Sequence, residues 1–181
     1  YTDSRHRLWA VGRKGRIFRY DTARDRFVMT YKLNGLQDDV TSGTVNCTYM
    51  DSNDRIWLCH GDSIIRYDTR AGTTDRIDSP ASNDITAITQ TDSTNFFIGT
   101  SNGLLQTIEK EGVLETVAGT YTDSICIPVS ELYFHQDSKK LFIGTFKEGI
   151  IAYGMNTTST IIADGPLQNV AIKRITPFGK R

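Results

Sequence analysis

Apolar residues in this chain fall into short runs broken by polar turns, and the runs recur in pairs. Leu8-Trp9-Ala10-Val11 precedes Ile17-Phe18-Arg19-Tyr20, and Ile56-Trp57-Leu58-Cys59 precedes Ile64-Ile65-Arg66-Tyr67. Phe96-Phe97-Ile98-Gly99 precedes Leu104-Leu105-Gln106-Thr107, and Leu141-Phe142-Ile143-Gly144 precedes Ile150-Ile151-Ala152-Tyr153. No segment keeps a 3.6-residue apolar rhythm and β-branched residues are frequent, so the runs predict strands. Because consecutive residues are apolar, both faces of these strands must be covered, as happens when small sheets stack on one another. Trp9, Trp57, Phe97 and Phe142 recur at steps of 48, 40 and 45 residues, the period of β-propeller blades. They are the predicted inter-blade core.

The second copy shows the whole unit. Val45–Met50, Arg55–His60, Ser63–Asp68 and Thr74–Asp78 are separated by Asp51-Ser52-Asn53-Asp54, Gly61-Asp62 and Thr69–Gly72, all of them turn residues. The prediction is an all-β chain, a β-propeller fragment of about four four-stranded blades forming a single domain over 1–181. The blades span about 7–32, 45–78, 85–118 and 129–163, with a tail strand at 169–176. The first copy starts at its second strand, whereas the tail has the character of an inner strand with no blade after it. Three closures fit: the tail completes the first blade of its own chain, completes that of a second chain, or belongs to a fifth blade. The expectation is that two chains close head to tail into an eight-bladed ring, since an open stack leaves two apolar faces uncovered.

Composition adds limits. With 181 residues and 38% hydrophobic content the chain can bury a core, and no apolar stretch is long enough to span a bilayer as a helix. Its start, Tyr1-Thr2-Asp3-Ser4, resembles neither an initiator Met nor a signal sequence, so the chain is expected to be cut from a longer one. The net charge is zero, but residues 1–32 carry +6, 33–130 carry −9 and 131–181 carry +3. Arg13, Lys14, Arg16 and Arg19 lie in a strand-turn-strand pattern without interleaved aromatics, which argues against nucleic acid. Cys47, Cys59 and Cys126 have no CxxC spacing, so neither a zinc site nor a disulfide scaffold is indicated. A hairpin would set Cys47 nearly opposite Cys59, either as two buried thiols, the preferred reading, or as a disulfide.

The segments Asn34-Gly35-Leu36, Val45, Asp51-Ser52-Asn53-Asp54-Arg55-Ile56-Trp57-Leu58 and Ile64-Ile65-Arg66-Tyr67-Asp68 resemble the two-component regulator propeller repeat, and Gly165–Val170 is similar to the start of another copy. The chain departs from that pattern where Cys59-His60 replace Gly-Thr, Thr107 replaces Tyr, and Phe97 and Phe142 replace Trp. The resemblance implies the periplasmic sensor region of a hybrid two-component system, a sensor histidine kinase joined to a response regulator and often responsive to oligosaccharides. The kinase residues have no counterpart in this segment.

The histidines His6, His60 and His135 are dispersed, and no pair has metal-ligand spacing. Asp38-Asp39 could suggest glycosidase chemistry, but it lies in a turn-rich connection where Asp serves the backbone. No catalytic residue, metal or cofactor is therefore expected in this chain. Binding is the expected function, at loops on one end of the ring. These loops hold Arg13, Lys14, His60, Asp62, Asn102, Phe146 and Lys147, with Tyr121 from a connection between blades. They offer the hydrogen-bonding groups and aromatic faces that sugars need. The expected partners are an oligosaccharide and either a second copy or neighbouring blades of the same parent chain, with no nucleic acid and no membrane contact. The alternatives are a propeller segment that serves only contacts between blades or subunits, and a propeller carbohydrate-active enzyme.

Overall fold

The computed structural model describes residues 1–32, 44–61, 63–81, 83–118, 125–154, 160–162 and 167–177, with 160–162 described by backbone alone. Among these residues there is no helix, and the strands form four antiparallel sheets whose order in space follows the chain. The first sheet has three strands, β1 (Trp9–Gly12), β2 (Arg16–Asp21) and β3 (Arg26–Lys32). The second comprises β4 (Cys47–Met50), β5 (Arg55–His60), β6 (Ser63–Asp68) and β7 (Thr74–Asp78). The third comprises β8 (Ile85–Gln90), β9 (Asn95–Thr100), β10 (Gly103–Lys110) and β11 (Val113–Thr116). In the fourth, β12 (Val129–His135), β13 (Lys140–Thr145) and β14 (Ile150–Gly154) are followed by β15 (Thr160–Ile162). The inner strands β4, β8 and β12 lie side by side while the outer strands β7 and β11 meet only thinly, so the sheets are arranged as spokes.

The first sheet has the three strands expected of it, and ahead of them Tyr1 and Thr2 occupy the end of the inner-strand position as an isolated bridge. Tyr1 and Trp9 exchange backbone bonds, Tyr1 N to Trp9 O at 2.9 Å and Trp9 N to Tyr1 O at 2.8 Å, and Thr2 bridges Leu8. Tyr1 thus stands to Trp9 as Tyr49 stands to its partner Trp57. So short a stub carries no alternation for a sequence pattern to reveal.

Each tryptophan is held by an aspartate six residues before it. Asp51 accepts the Trp57 indole N–H at 2.8 Å, Arg55 Nε at 2.6 Å, and the backbone amides of Asn53 and Arg55 at 2.9 Å each. Asp3 repeats the set with Trp9 at 2.9 Å, Arg7 Nε at 2.7 Å and the amides of Arg5 and Arg7. A buried indole N–H needs an acceptor, and here the acceptor also closes the turn between the first two strands. Phe97 and Phe142 need none: Thr91 lies six residues before Phe97, and His135, seven before Phe142, takes the aspartate's place by strand register.

The aromatic anchors pack forward onto the next sheet. Trp9 meets Ile56, Leu58 and Tyr67; Trp57 meets Ile85, Phe96 and Ile98; Phe97 meets Leu141, Ile143 and Tyr153. Ring centroids lie 6.0 Å apart for Trp9–Tyr67, 4.9 Å for Trp57–Phe96 and 6.4 Å for Phe97–Tyr153. Where Thr107 replaces the tyrosine of the second and fourth sheets, Phe96 supplies the missing ring from the adjacent strand. Trp9, Trp57 and Phe97 are 3%, 0% and 1% exposed. Phe142 departs from the expected core role: it is only half-buried, because among the described residues its face meets no further sheet. On the opposite end of the stack, Leu8, Phe27 and Met29 of the first sheet are exposed.

The tail expected as a strand over 169–176 makes no ladder among the described residues. It nonetheless occupies a repeated position. Ile172 N–H bonds Thr145 O at 2.9 Å, as Ile85 bonds Gly61 at 3.0 Å and Val45 bonds Arg13 at 2.7 Å. Ser130 Oγ donates to Ile172 O at 2.5 Å, as Thr86 Oγ1 donates to Val129 O at 2.6 Å. Ile172 sits over Gly144 as Val129 sits over Gly99. The segment therefore lies on the fourth sheet where the first inner residue of a following sheet would be. Among the described residues it pairs with no strand of the first sheet.

Candidate functional site

The inner strands wall a groove of about 990 Å³, lined by Tyr1, by β4, β8 and β12, and by the tail. Tyr1, Tyr49 and Tyr133 bring phenol rings to its lining, and Glu131, Lys173 and Arg174 bring charge. Tyr1 Oη donates to Thr48 O at 2.7 Å and shares a 2.7 Å bond with Thr48 Oγ1. Burial raises the Tyr1 phenol above its ordinary value although the bond to Thr48 opposes it, and burial likewise raises Tyr49. Burial also raises the Glu131 carboxyl, with Arg174 pulling the other way.

Gln90 is the most informative of the lining residues. It ends β8, is 6% exposed, and lines both the groove and a side cavity of about 360 Å³ next to Ser52 and Gln136. Its Oε1 accepts the Ser52 amide at 2.8 Å, which fixes the orientation of the side-chain amide. Its backbone N–H donates to Tyr49 Oη at 3.2 Å. The Nε2 donor is buried and has no partner among the described residues. A buried donor left unmatched costs about 1–3 kcal/mol, a cost relieved if the side chain turns to meet an acceptor in the groove.

The residues singled out from the sequence lie elsewhere. Arg13 and Lys14 are exposed in the β1–β2 turn, His60 is half-buried at the end of β5, and Asn102, Phe146 and Lys147 are exposed in the equivalent turns of the third and fourth sheets. Arg13 lines a cavity of about 190 Å³ beside Val45 and Asn46, and Asn102 one of about 250 Å³ beside Ile125 and Cys126. The structure distributes these side chains over separate blade ends and does not gather them in one cavity. Asp62, Tyr121 and the Asp38-Asp39 pair lie outside the described residues. The groove residues Tyr1, Tyr49, Gln90, Glu131 and Tyr133 were passed over. Tyr1, Tyr49 and Tyr133 share one signal, a phenol on the inner strand opposite the anchoring aromatic, readable only once the copies are aligned strand by strand; Gln90 and Glu131 stand at other inner-strand positions and carried none.

No family model matches the sequence, and no curated protein matches it. Among solved structures, the chain is similar to the extracellular domain of the hybrid two component system BT3049 from B. thetaiotaomicron. The TM-score is 0.65 and the identity 18%, over 93% of this chain and 24% of that one. For the extracellular domain of the hybrid two component system BT4673 from the same organism, the TM-score is 0.62 and the identity 15%, over 88% and 20% of the two chains. A chain of the mitotic checkpoint complex gives 0.68 at 10% identity, over 97% and 52%. At these identities the likeness is one of fold. The chain spans about a quarter or less of the two extracellular domains and about half of the third chain.

Proposed function

We propose that this chain is a ligand-sensing propeller module of a two-component signal transduction regulator, lying in the periplasm, and that it binds an oligosaccharide in the groove along its inner strands. The location and the sensor role draw on the two extracellular neighbours and on the repeat the sequence resembles. The ligand draws on the groove, and the observation that carries it is Gln90, whose side-chain Nε2 has no partner among the described residues, on a wall that also holds three tyrosines. A sugar hydroxyl supplies the missing acceptor, and phenol rings supply the flat apolar faces on which pyranose rings lie. Binding is favoured over turnover, because glycoside hydrolysis uses two carboxyl groups flanking the bond, whereas Glu131 is the one carboxylate among the described lining residues.

Titration calorimetry against a panel of neutral and acidic oligosaccharides tests this, with Gln90→Glu as the diagnostic variant. That change keeps an acceptor for the Ser52 amide and removes the free donor, so affinity falls about tenfold or more, the loss expected for one buried hydrogen bond. No heat from any sugar would leave the competing role, a propeller segment that serves only contacts between blades.

A further inference from the structure

Two of the three cysteines face each other across the second sheet. Cys47 on β4 and Cys59 on β5 are direct partners in the antiparallel register, both thiols are free, and they share a hydrogen bond. Directly opposed residues in such a ladder have Cα atoms about 4.5–5.5 Å apart, inside the span of about 4.4–6.8 Å that a disulfide bridges. The register alone thus places the two cysteines within bridging range.

The other sheets fill these positions differently. Ala87 opposes Gly99, and Glu131 opposes Gly144, and each glycine admits the first residue of the segment that follows, Val129 or Ile172. The architecture therefore does not ask for sulfur at this point. Access is one-sided: Cys59 is fully buried between the second and third sheets, whereas Cys47, its thiol largely enclosed, belongs to a half-buried residue that lines both the groove and the small cavity beside Arg13.

We propose that Cys47 and Cys59 are a redox pair that closes into a cross-strand disulfide within the groove wall. Cys47, after losing its proton to solvent in the groove, attacks one sulfur of an external disulfide, either glutathione disulfide or that of a thiol–disulfide oxidoreductase. One thiolate leaves and a mixed disulfide remains. The Cys59 sulfur, once deprotonated, attacks the Cys47 sulfur and expels the second thiolate. Two protein thiols are oxidised, one external disulfide is reduced to two thiols, and the two protons pass to the departing thiolates or to buffer. The hydrogen bond with Cys59 and burial push the Cys47 thiol well above its ordinary value, so closure accelerates as pH rises beyond neutrality. That the bond forms in the cell rests on the periplasmic reading above; that it can form rests on the register alone.

The test uses the full chain carrying Cys126→Ser, which removes the exposed third thiol. The folded protein is equilibrated in glutathione buffers of graded ratio at mildly alkaline pH, quenched with acid, unfolded and alkylated with iodoacetamide. The expected result is two labels under reducing buffer and none under oxidising buffer, where the protein is lighter by two hydrogens. The transition has a single midpoint, and the oxidised form melts higher. Retention of two labels at every ratio, or a glutathione adduct in place of the internal bond, overturns the proposal. The readout contains no sugar, so it stands or falls separately from the ligand assigned to the groove.

Discussion

The contact between Gly99 and Val129 offers a sharp test of how the sheets are spaced. A Cβ built on Gly99 lies 2.4 Å from Val129 Cγ1 and 2.9 Å from its Cβ, with Ala87 Cβ at 3.3 Å. Val129 is 0% exposed and is tied to the third sheet through the Thr86 bond, so it has no free direction in which to retreat. Gly99→Ala therefore forces the third and fourth sheets apart, an overpacking cost of about 1–3 kcal/mol. For a chain of this length the melting temperature falls by about 2–4 °C per kcal/mol. Gly144→Ala creates almost the same clash, 2.7 Å to Ile172 Cγ2 and 3.0 Å to its Cβ. There the obstructing residue belongs to a half-exposed tail that is held by the Thr145 and Ser130 bonds but is part of no ladder among the described residues, so it yields more readily. The expected outcome in differential scanning calorimetry is a clear drop for Gly99→Ala and a change within about 1 °C for Gly144→Ala. Equal drops, or a larger one for Gly144→Ala, would refute the claim that the tail yields to a methyl group where Val129 cannot.

Trp57→Ala should cost about 3–5 kcal/mol in chemical denaturation, while Phe142→Ala, starting half-buried, should cost less than half as much; equal losses would contradict the stacking order. Asp54 is pushed up by burial but held lower by hydrogen bonds from Ser4 and its pair with Arg70, which bring it from 3.8 to about 2. The folded chain thus binds this proton more weakly than the unfolded one. Its contribution is complete above about pH 4 and disappears as pH falls toward 2, so Asp54→Asn should flatten that part of an acid titration followed by circular dichroism. Closure of two chains into one ring predicts twice the single-chain mass in light scattering at micromolar concentration, and a single-chain mass rules it out.

The strands and their aromatic pegs were legible because a run such as Ile56-Trp57-Leu58-Cys59, apolar on both faces, has few other places to go. The half-burial of Phe142 was not, since it depends on what covers the last sheet and not on Phe142 itself. Asp51 reads along the chain as an ordinary turn residue and Asp3 carries no signal of its own; their grip on the indoles appears only when the turn folds back beside the strand. The groove was the least legible feature. Gln90, Glu131 and Tyr1 come from three different sheets, and only the lateral packing of inner strands brings them to one cavity. Turn positions such as Arg13 and Asn102 were conspicuous along the chain for the opposite reason, being polar and local, yet they remain apart in space.

Among the described residues each sheet packs chiefly on the one before it and the one after it, and this has a thermodynamic consequence. The second and third sheets are clamped on both sides, whereas the first and fourth each lean on one neighbour, so opening proceeds inward from the two ends and not from the middle. Backbone amides of β2 and β14 should exchange with solvent faster than those of β5 and β9, although all four strands carry similar apolar sequences. Whatever settles against Leu8 and Phe27 at one end, or against Phe142 at the other, converts an end sheet into an inner one and slows that exchange without touching a single residue of the central pair.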